Sequence, residues 1–301
     1  MDVLFVGLSF LNLGCFLVSL LYLMKSYIPE WLHDIFEWGK TKRELKQSSW
    51  TQCLHVPNSW FTHFYVAGSS LSCALLWMLL NHCVYSETSM TDGLAQILDL
   101  NYNPHVNCFT VLVSLLLLLV QTCRRLFECL FISVFSGKIH LSHFLVGVAY
   151  YCLDVTSIAT SFLRVEKKDR DWCSSCRLSL GTFSWYQYFG VFLFLWASWH
   201  QWNCHNILAK LRHSASGKTV NLYRIPYGDW FESVSSPHYL AEILIYISFF
   251  IIQKGQNIYV GLILLYTIQN LSLGAAVTHE WYHNKFKDYP KNRNRIFPFL
   301  Y

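Results

Sequence analysis

Long apolar runs alternate with short polar segments along the whole chain. Seven runs approach or reach the roughly 20 apolar residues that a bilayer-spanning helix needs. They cover residues 3–24, 60–80, 109–134, 139–163, 181–200, 238–253 and 257–278. The sixth ends at Gln253-Lys254-Gly255-Gln256-Asn257, a tight turn, so the sixth and seventh read as a helical hairpin. The pattern predicts an all-α integral membrane protein, a bundle of seven transmembrane helices. The first run is long and lacks a basic start, which favours a retained span over a cleaved signal peptide. In the segment 25–59, Trp31, Leu32, Ile35, Phe36 and Trp38 alternate with Glu30, Asp34 and Glu37, the pattern of a short interfacial helix.

Composition agrees. Hydrophobic residues make up 53% of the chain and charged ones 14%, oilier than a typical soluble domain. No soluble domain of ordinary size fits beside seven spans, so residues 1–301 read as one membrane domain. The formal charge of +5 suits loops beside anionic lipid better than a nucleic-acid stripe, and no nucleic-acid or protein partner is read. Of eleven cysteines, Cys15, Cys73, Cys129 and Cys152 lie in apolar runs and read as small buried hydrophobes. Cys173 and Cys176 form a Cys-x-x-Cys, but no second pair completes a zinc set; a structural or incidental role leads.

Lysine and arginine set the orientation. With the N-terminus outside, the inner segments 25–59, 135–138, 201–237 and the tail carry five, one, four and five basic residues. The outer segments 81–108, 164–180 and 254–256 carry none, five and one. All but 164–180 agree with a lumenal N-terminus and a cytosolic tail. Two polar blocks, Tyr223–Glu242 and His279–Tyr301, then emerge on one cytosolic face, where soluble nucleotides are supplied.

Charge inside a span is costly and needs a reason. In the third run Arg124 and Glu128 are four apart, so an ion pair can form along one helical face; snorkelling at the interface is the alternative. The second run opens with Trp60 and His63, either an aromatic belt with a hydrogen-bonded histidine or a catalytic group. In the sixth, Glu242 follows Pro237 and His238 at a helix start. It can accept hydrogen bonds from a nicotinamide or ribose, or cap the helix and pair with an arginine such as Arg224. His200, Asn203, His205, Asn206, Lys210 and Arg212 extend the fifth run as a polar helix. His200 and His205 are five apart and lack an acidic companion, so no metal is expected. Arg212 and Arg224 suit a phosphate. No glycine-rich dinucleotide or Walker loop is present.

Two blocks carry a resemblance. Tyr223–Glu242 reads YRIPYGDWFESVSSPHYLAE, and Tyr282–Arg293 reads YHNKFKDYPKNR, followed by Pro298-Phe299. They resemble the steroid 5-alpha-reductase family. Val56–Tyr65 (VPNSWFTHFY) and Arg124–Leu130 (RRLFECL) are similar to its polyprenol reductase branch. The similarity covers the chain from about residue 56 onward. It implies a seven-helix bundle in the endoplasmic reticulum membrane, with NADPH held between helices at the cytosolic side. It implies reduction of the α-isoprene double bond of a long-chain polyprenyl lipid, polyprenal or polyprenol. The dolichal or dolichol product feeds N-glycosylation, and a 3-oxo-5-alpha-steroid 4-dehydrogenase side activity is included. In these terms residues 1–55 hold the first span and an amphipathic loop, 56–200 the substrate-side spans, and 201–301 the cofactor-binding region.

Carried over, the resemblance implies cofactor contacts at Arg125, His205, Arg212, Tyr223, Arg224, His238, Glu242, Tyr282 and Arg293. His205 and His238 stand where steroid-reducing members carry Asp and Asn. Thr62-His63 stands where those members hold the steroid carbonyl with Gln-Glu, and Thr122 where they have the paired Tyr. His63 is the expected carbonyl-polarising residue, with Tyr65 and His279 as reserves. Chemistry favours the aldehyde, since an isolated alkene accepts hydride poorly while a conjugated aldehyde spreads the charge into an enolate. Two rivals from other classes are a membrane methyltransferase of the isoprenylcysteine type and a multi-span transporter. Against transport, the polar residues gather at one face and no internal repeat is visible.

Overall fold

The computed structural model describes residues 2–29, 54–85, 89–100, 106–163, 183–212 and 223–301. Eight α-helices account for most of them: α1 Val3–Leu23, α2 Phe61–Tyr85, α3 Ser89–Leu98, α4 Cys108–Phe131, α5 Leu141–Leu163, α6 Trp185–Lys210, α7 Pro237–Ile252 and α8 Ile258–Lys285. Two three-residue strands, β1 His55–Pro57 and β2 Lys138–His140, pair antiparallel with His55 opposite His140. They tie the start of α2 to the start of α5. Neither this pairing nor α3 is foreshadowed by the apolar pattern. The interfacial helix expected around Trp31–Trp38, the segment 164–180 and the pair Cys173 and Cys176 lie outside the described residues.

Sequence-local chemistry sets several helix starts. Asp2 accepts a hydrogen bond from Phe5 N at 2.9 Å, and Asn107 accepts one from Thr110 N at 2.8 Å. Asn257 accepts from Tyr259 N at 3.0 Å. Ser184 and Gln187 form a capping box, and Pro237 opens α7 with its missing N–H where none is needed.

The result is a multi-pass, helical membrane protein. Among the described residues five helices are long and apolar enough to cross a membrane: α1, α2, α4, α5 and α8. Two expected spans differ. The run predicted to end at residue 200 continues as helix to Lys210, and this 26-residue helix carries too much polarity to count among the five. The α7 helix has 16 residues, about 24 Å of rise, against the ~30 Å of a hydrocarbon core.

Helix α6 packs along α7, α2 along α4 and α5, and α1 along α8. The α6–α7 approach depends on Gly190: a Cβ there would lie 2.7 Å from Ile252 Cγ1 and 3.1 Å from the Ser248 carbonyl. Leu75, Leu115, Leu118, Val155, Phe194 and Phe249 fill the centre of the bundle. Alternation of helix direction brings the C-terminal ends of α4, α6 and α8 and the N-terminal ends of α2, α5 and α7 to one end. The functional residues gather there.

Candidate active site

A cavity of about 420 Å³ opens at that end between α2, α4, α5, α6, α7 and α8. Its lining combines apolar side chains, among them Phe61, Phe64, Phe135, Ile139, Val146 and Leu271, with polar ones, among them Tyr65, Arg125, Gln201, His205, His238 and Glu242. A second cavity of about 220 Å³ adjoins it and shares Ser133, Phe135, His205 and Leu208. Arg212, Tyr223, Arg224 and Tyr282 also line it. Among the described residues it presents two guanidinium groups and no carboxylate, a donor set suited to phosphate oxygens.

The polar side chains rest on a charge cluster. Glu128 is wholly buried, with 0% exposure. One carboxylate oxygen accepts from Arg124 and the other from Arg125. His205 Nδ1 stands 2.7 Å from both Glu128 Oε2 and Arg125 Nη1. Three partners compensate the desolvation that would make a lone buried carboxylate untenable. The ion pair read from the i,i+4 spacing is present, and Arg125 joins it one residue on.

Two glutamines extend the cluster to Glu242. Arg124 Nη2 donates to Gln121 Oε1 at 2.8 Å and also to Gln201. Gln121 Nε2 reaches Glu242 Oε2 at 3.2 Å, and Gln201 donates to the same oxygen. The other Glu242 oxygen has no hydrogen-bond partner among the described residues, and Glu242 lines the larger cavity. Arg224, the alternative partner weighed for Glu242, lines the smaller cavity instead. Spacing along the chain gave no sign of Gln121 or Gln201, because each acts across a helix interface.

Tyr65 is the best-defined donor in the larger cavity. Arg125 donates to its hydroxyl oxygen from Nε at 3.2 Å and from Nη2 at 3.0 Å. Arginine only donates, so the lone pairs of that oxygen are engaged and the phenol is left to give its own O–H. Helix phase accounts for the placement: Phe61, Phe64, Tyr65 and Gly68 share the inner face of α2.

His63 lies on the opposite face. It is exposed, with edge contacts to Trp60 at 5.5 Å and Phe144 at 5.9 Å, and it lines neither cavity. Two residues apart on a helix means about 200° of rotation, so His63 and Tyr65 cannot both face inward. His279 is also outside both linings. Its Nδ1 is 2.7 Å from Ser235 Oγ, which is 2.7 Å from the Tyr289 hydroxyl.

The two polar blocks of the sequence fold against each other. Arg293, 4% exposed, donates to the Pro226 carbonyl at 2.8 Å and lies over the rings of Tyr227 and Tyr289. Val234 bridges Asn294 in parallel, and Ser235 N donates to Asn294 O at 2.8 Å. Arg293 therefore stitches the blocks together and lines neither cavity. The first block also docks on α6: His200 Nδ1 meets Asp229 Oδ1 at 2.7 Å, and its ring stacks on Trp230 at 4.2 Å. Gly228, at φ +91°, makes the turn that allows this, a conformation costly for a side chain. Arg212 lies over the Tyr223 ring at 4.5 Å, at the edge of the smaller cavity.

Comparison with known proteins agrees with this architecture. The profile of the 3-oxo-5-alpha-steroid 4-dehydrogenase family matches residues 138–301, more than half of the chain and all of both polar blocks. A polyprenal reductase of Xenopus tropicalis is 40% identical over 275 residues, covering 89% of this chain and 87% of that protein. The Xenopus laevis polyprenal reductase is 37% identical, covering 92% and 88%. The Homo sapiens polyprenal reductase is 34% identical, covering 89% and 85%. Identity at this level over nine-tenths of the chain reaches well beyond the matched C-terminal region, and the chain belongs to the 3-oxo-5-alpha-steroid 4-dehydrogenase family of oxidoreductases.

Proposed function

We propose that this chain is a polyprenal reductase, which saturates the α-isoprene double bond of a polyprenyl aldehyde to give dolichal. The observation that carries the reading is the larger cavity itself: aromatic and apolar side chains line it together with a hydroxyl donor that Arg125 backs. Such a cavity suits a lipid bearing one polar end.

Arg212 and Arg224 are the residues for the phosphates of NADPH, with Tyr223 and Tyr282 beside them. Arg125, His205, His238 and Glu242, near where the two cavities adjoin, are the residues for its nicotinamide end. Arg293 holds the enclosing blocks together. NADPH, when held by these residues, would supply the hydride that the reduction needs. Tyr65 donates its O–H to the aldehyde oxygen, favouring the charge that develops there. It takes the role expected of His63, whose ring faces away. The apolar side chains exclude water and admit the isoprenoid chain.

The bundle has seven spans in this reading, α6 and α7 joining the five apolar helices. Their polarity serves the site. The site end faces the cytosol and the N-terminus the lumen of the endoplasmic reticulum. Two features support this orientation. Lys210, Arg212, Arg224, Lys285, Lys287, Lys291, Arg293 and Arg295 all gather near the site end. Cys108, at the other end of α4, is disulfide-bonded, as befits an oxidising compartment.

The test is incubation of the purified full chain in detergent with NADPH and polyprenal, following dolichal by mass spectrometry. Polyprenol and a 3-oxo-4-ene steroid run in parallel. Dolichal from the aldehyde arm is the expected result. Binding of NADPH without reduction of any of the three would reject the substrate assignment, and absence of NADPH binding would reject the reading altogether.

A further inference from the structure

Reduction of a conjugated aldehyde needs a second acid. After hydride addition at the β carbon, the double-bond electrons move toward the carbonyl and an enolate results. Its oxygen needs a hydrogen-bond donor, and its α carbon needs a proton. These two atoms are separated only by the carbonyl carbon, so the donors that serve them must stand side by side.

The larger cavity holds such a pair. The rings of Tyr65 on α2 and Tyr151 on α5 meet edge to face at 5.1 Å, and both residues line the cavity. The ring contact and the shared lining put the two phenols side by side in one cavity. Arg125 stands behind Tyr65 and fixes its direction of donation.

The surroundings show why the second phenol comes from α5. Thr122 occupies the place where the resemblance implies a tyrosine in steroid-reducing members. Its hydroxyl is buried and bonded to the carbonyls of Leu118 at 3.0 Å and Leu119 at 3.1 Å, within its own helix. Thr122 therefore offers the cavity nothing. Tyr151 lies next to it across Gly68: a Cβ on Gly68 would stand 3.1 Å from both Thr122 Cγ2 and Tyr151 Cδ1. The short Thr122 and the bare Gly68 leave the space that the Tyr151 ring uses.

We propose that Tyr151 is a catalytic residue, the acid that delivers the proton to the α carbon. The proposal rests on the polyprenal reductase reading. The Tyr151 O–H bond breaks as the α C–H bond forms, and the enolate electrons close the aldehyde carbonyl. The phenolate left on Tyr151, favoured by the Arg125 charge beyond Tyr65, then takes a proton from water. Hydride from the nicotinamide and proton from Tyr151 together account for the two hydrogens added.

The experiment runs wild type and Tyr151→Phe on polyprenal and NADPH in D₂O. Borohydride quenches each reaction at once, so that the aldehyde cannot exchange its α hydrogens. Deuterium at the α carbon is then assigned to one face or both by NMR, and NADPH affinity is measured separately. Wild type is expected to deuterate one face. Tyr151→Phe is expected to bind NADPH unchanged, to lose about 100-fold or more in turnover, and to deuterate both faces, since water then protonates a free enolate. Two results would overturn the proposal: turnover in the variant within threefold of wild type, or residual product still deuterated on one face. Wild-type product deuterated on both faces would also overturn it. Failure of wild type to form any dolichal would instead reject the underlying function, so the two are told apart. Gly68→Ala is the second variant: by crowding the Tyr151 ring it is expected to erode the facial selectivity while leaving every hydroxyl in place, and full selectivity there with unchanged turnover would count against the proposal.

Discussion

The two ends of the bundle both bury polar side chains between helices. At the end away from the cavities, Gln187 donates to Thr110 Oγ1 at 3.0 Å and to the Ile252 carbonyl at 2.9 Å. Asn257 donates to the Ser157 carbonyl at 2.8 Å, and Gln253 to the Ile158 carbonyl at 3.3 Å. Ile252 ends α7, so its carbonyl has no intrahelical partner, while Asn257 and Gln253 are neutral amides that tie the turn between α7 and α8 to α5. At the cavity end the groups are charged, they bond to one another across α4, α6 and α7, and some atoms stay open to the cavity. The first arrangement needs only partners. The second holds Tyr65 and Glu242 in set directions with capacity to spare, as a site that must meet a ligand does.

Substitutions can break this contrast at either end. The largest effect is expected for Glu128→Ala. It strands Arg124 and Arg125 without their shared carboxylate and should cost about 3–5 kcal/mol of stability; thermal unfolding in detergent measures it, and a loss under about 1 kcal/mol would mean water already solvates the cluster. Tyr65→Phe comes next. Turnover of polyprenal should fall roughly 100- to 1000-fold, as for removal of one oxyanion donor, against a stability loss of about 1–3 kcal/mol from the Arg125 N–H groups left without the hydroxyl. Equal losses of both would make Tyr65 a packing residue. Gln187→Leu should do the reverse: about 1–3 kcal/mol less stable through the unpaired Ile252 carbonyl, with unchanged activity per folded molecule. The smallest effect belongs to His63→Ala, expected within about twofold of wild type as for other exposed positions. A collapse of turnover there would restore His63 as the acid and displace Tyr65.

Much of the bundle was legible in the chain. Apolar runs located α1, α4 and α5 to within three residues and the starts of α2 and α8 to within one, because little besides a bilayer calls for an apolar stretch of that length; α2 and α8 run five and seven residues past their expected ends, at 85 against 80 and 285 against 278. Pro237 marked the start of α7, and the i,i+4 spacing announced Arg124–Glu128. What stayed hidden was side-chain direction and cross-helix pairing. His63 drew notice as a histidine in an oily run, yet helix phase turns it outward and turns the less conspicuous Tyr65 inward. Gln121 and Gln201 lie 80 residues apart, joined at 3.0 Å, and no local pattern reports such a pair. Tyr151 is one of two adjacent tyrosines in a chain that is 17% aromatic, where one more aromatic ring carries no signal. Arg293 drew notice through its company in the C-terminal block, but its bond to Pro226, 67 residues away, has no local signature.

That bond has a consequence for how the molecule is made. Pro226 precedes α7 and α8, whereas Arg293 and Asn294 follow them. The ribosome must therefore deliver the whole hairpin into the membrane before the block at 223–236 can find its mate. Between the completion of α8 and the arrival of Arg293 every described helix is made but the two blocks remain unjoined. A stop codon between residues 286 and 292 would accordingly release a chain with every described helix, able to integrate and to escape notice by size or topology, yet without the contacts that join its two polar blocks.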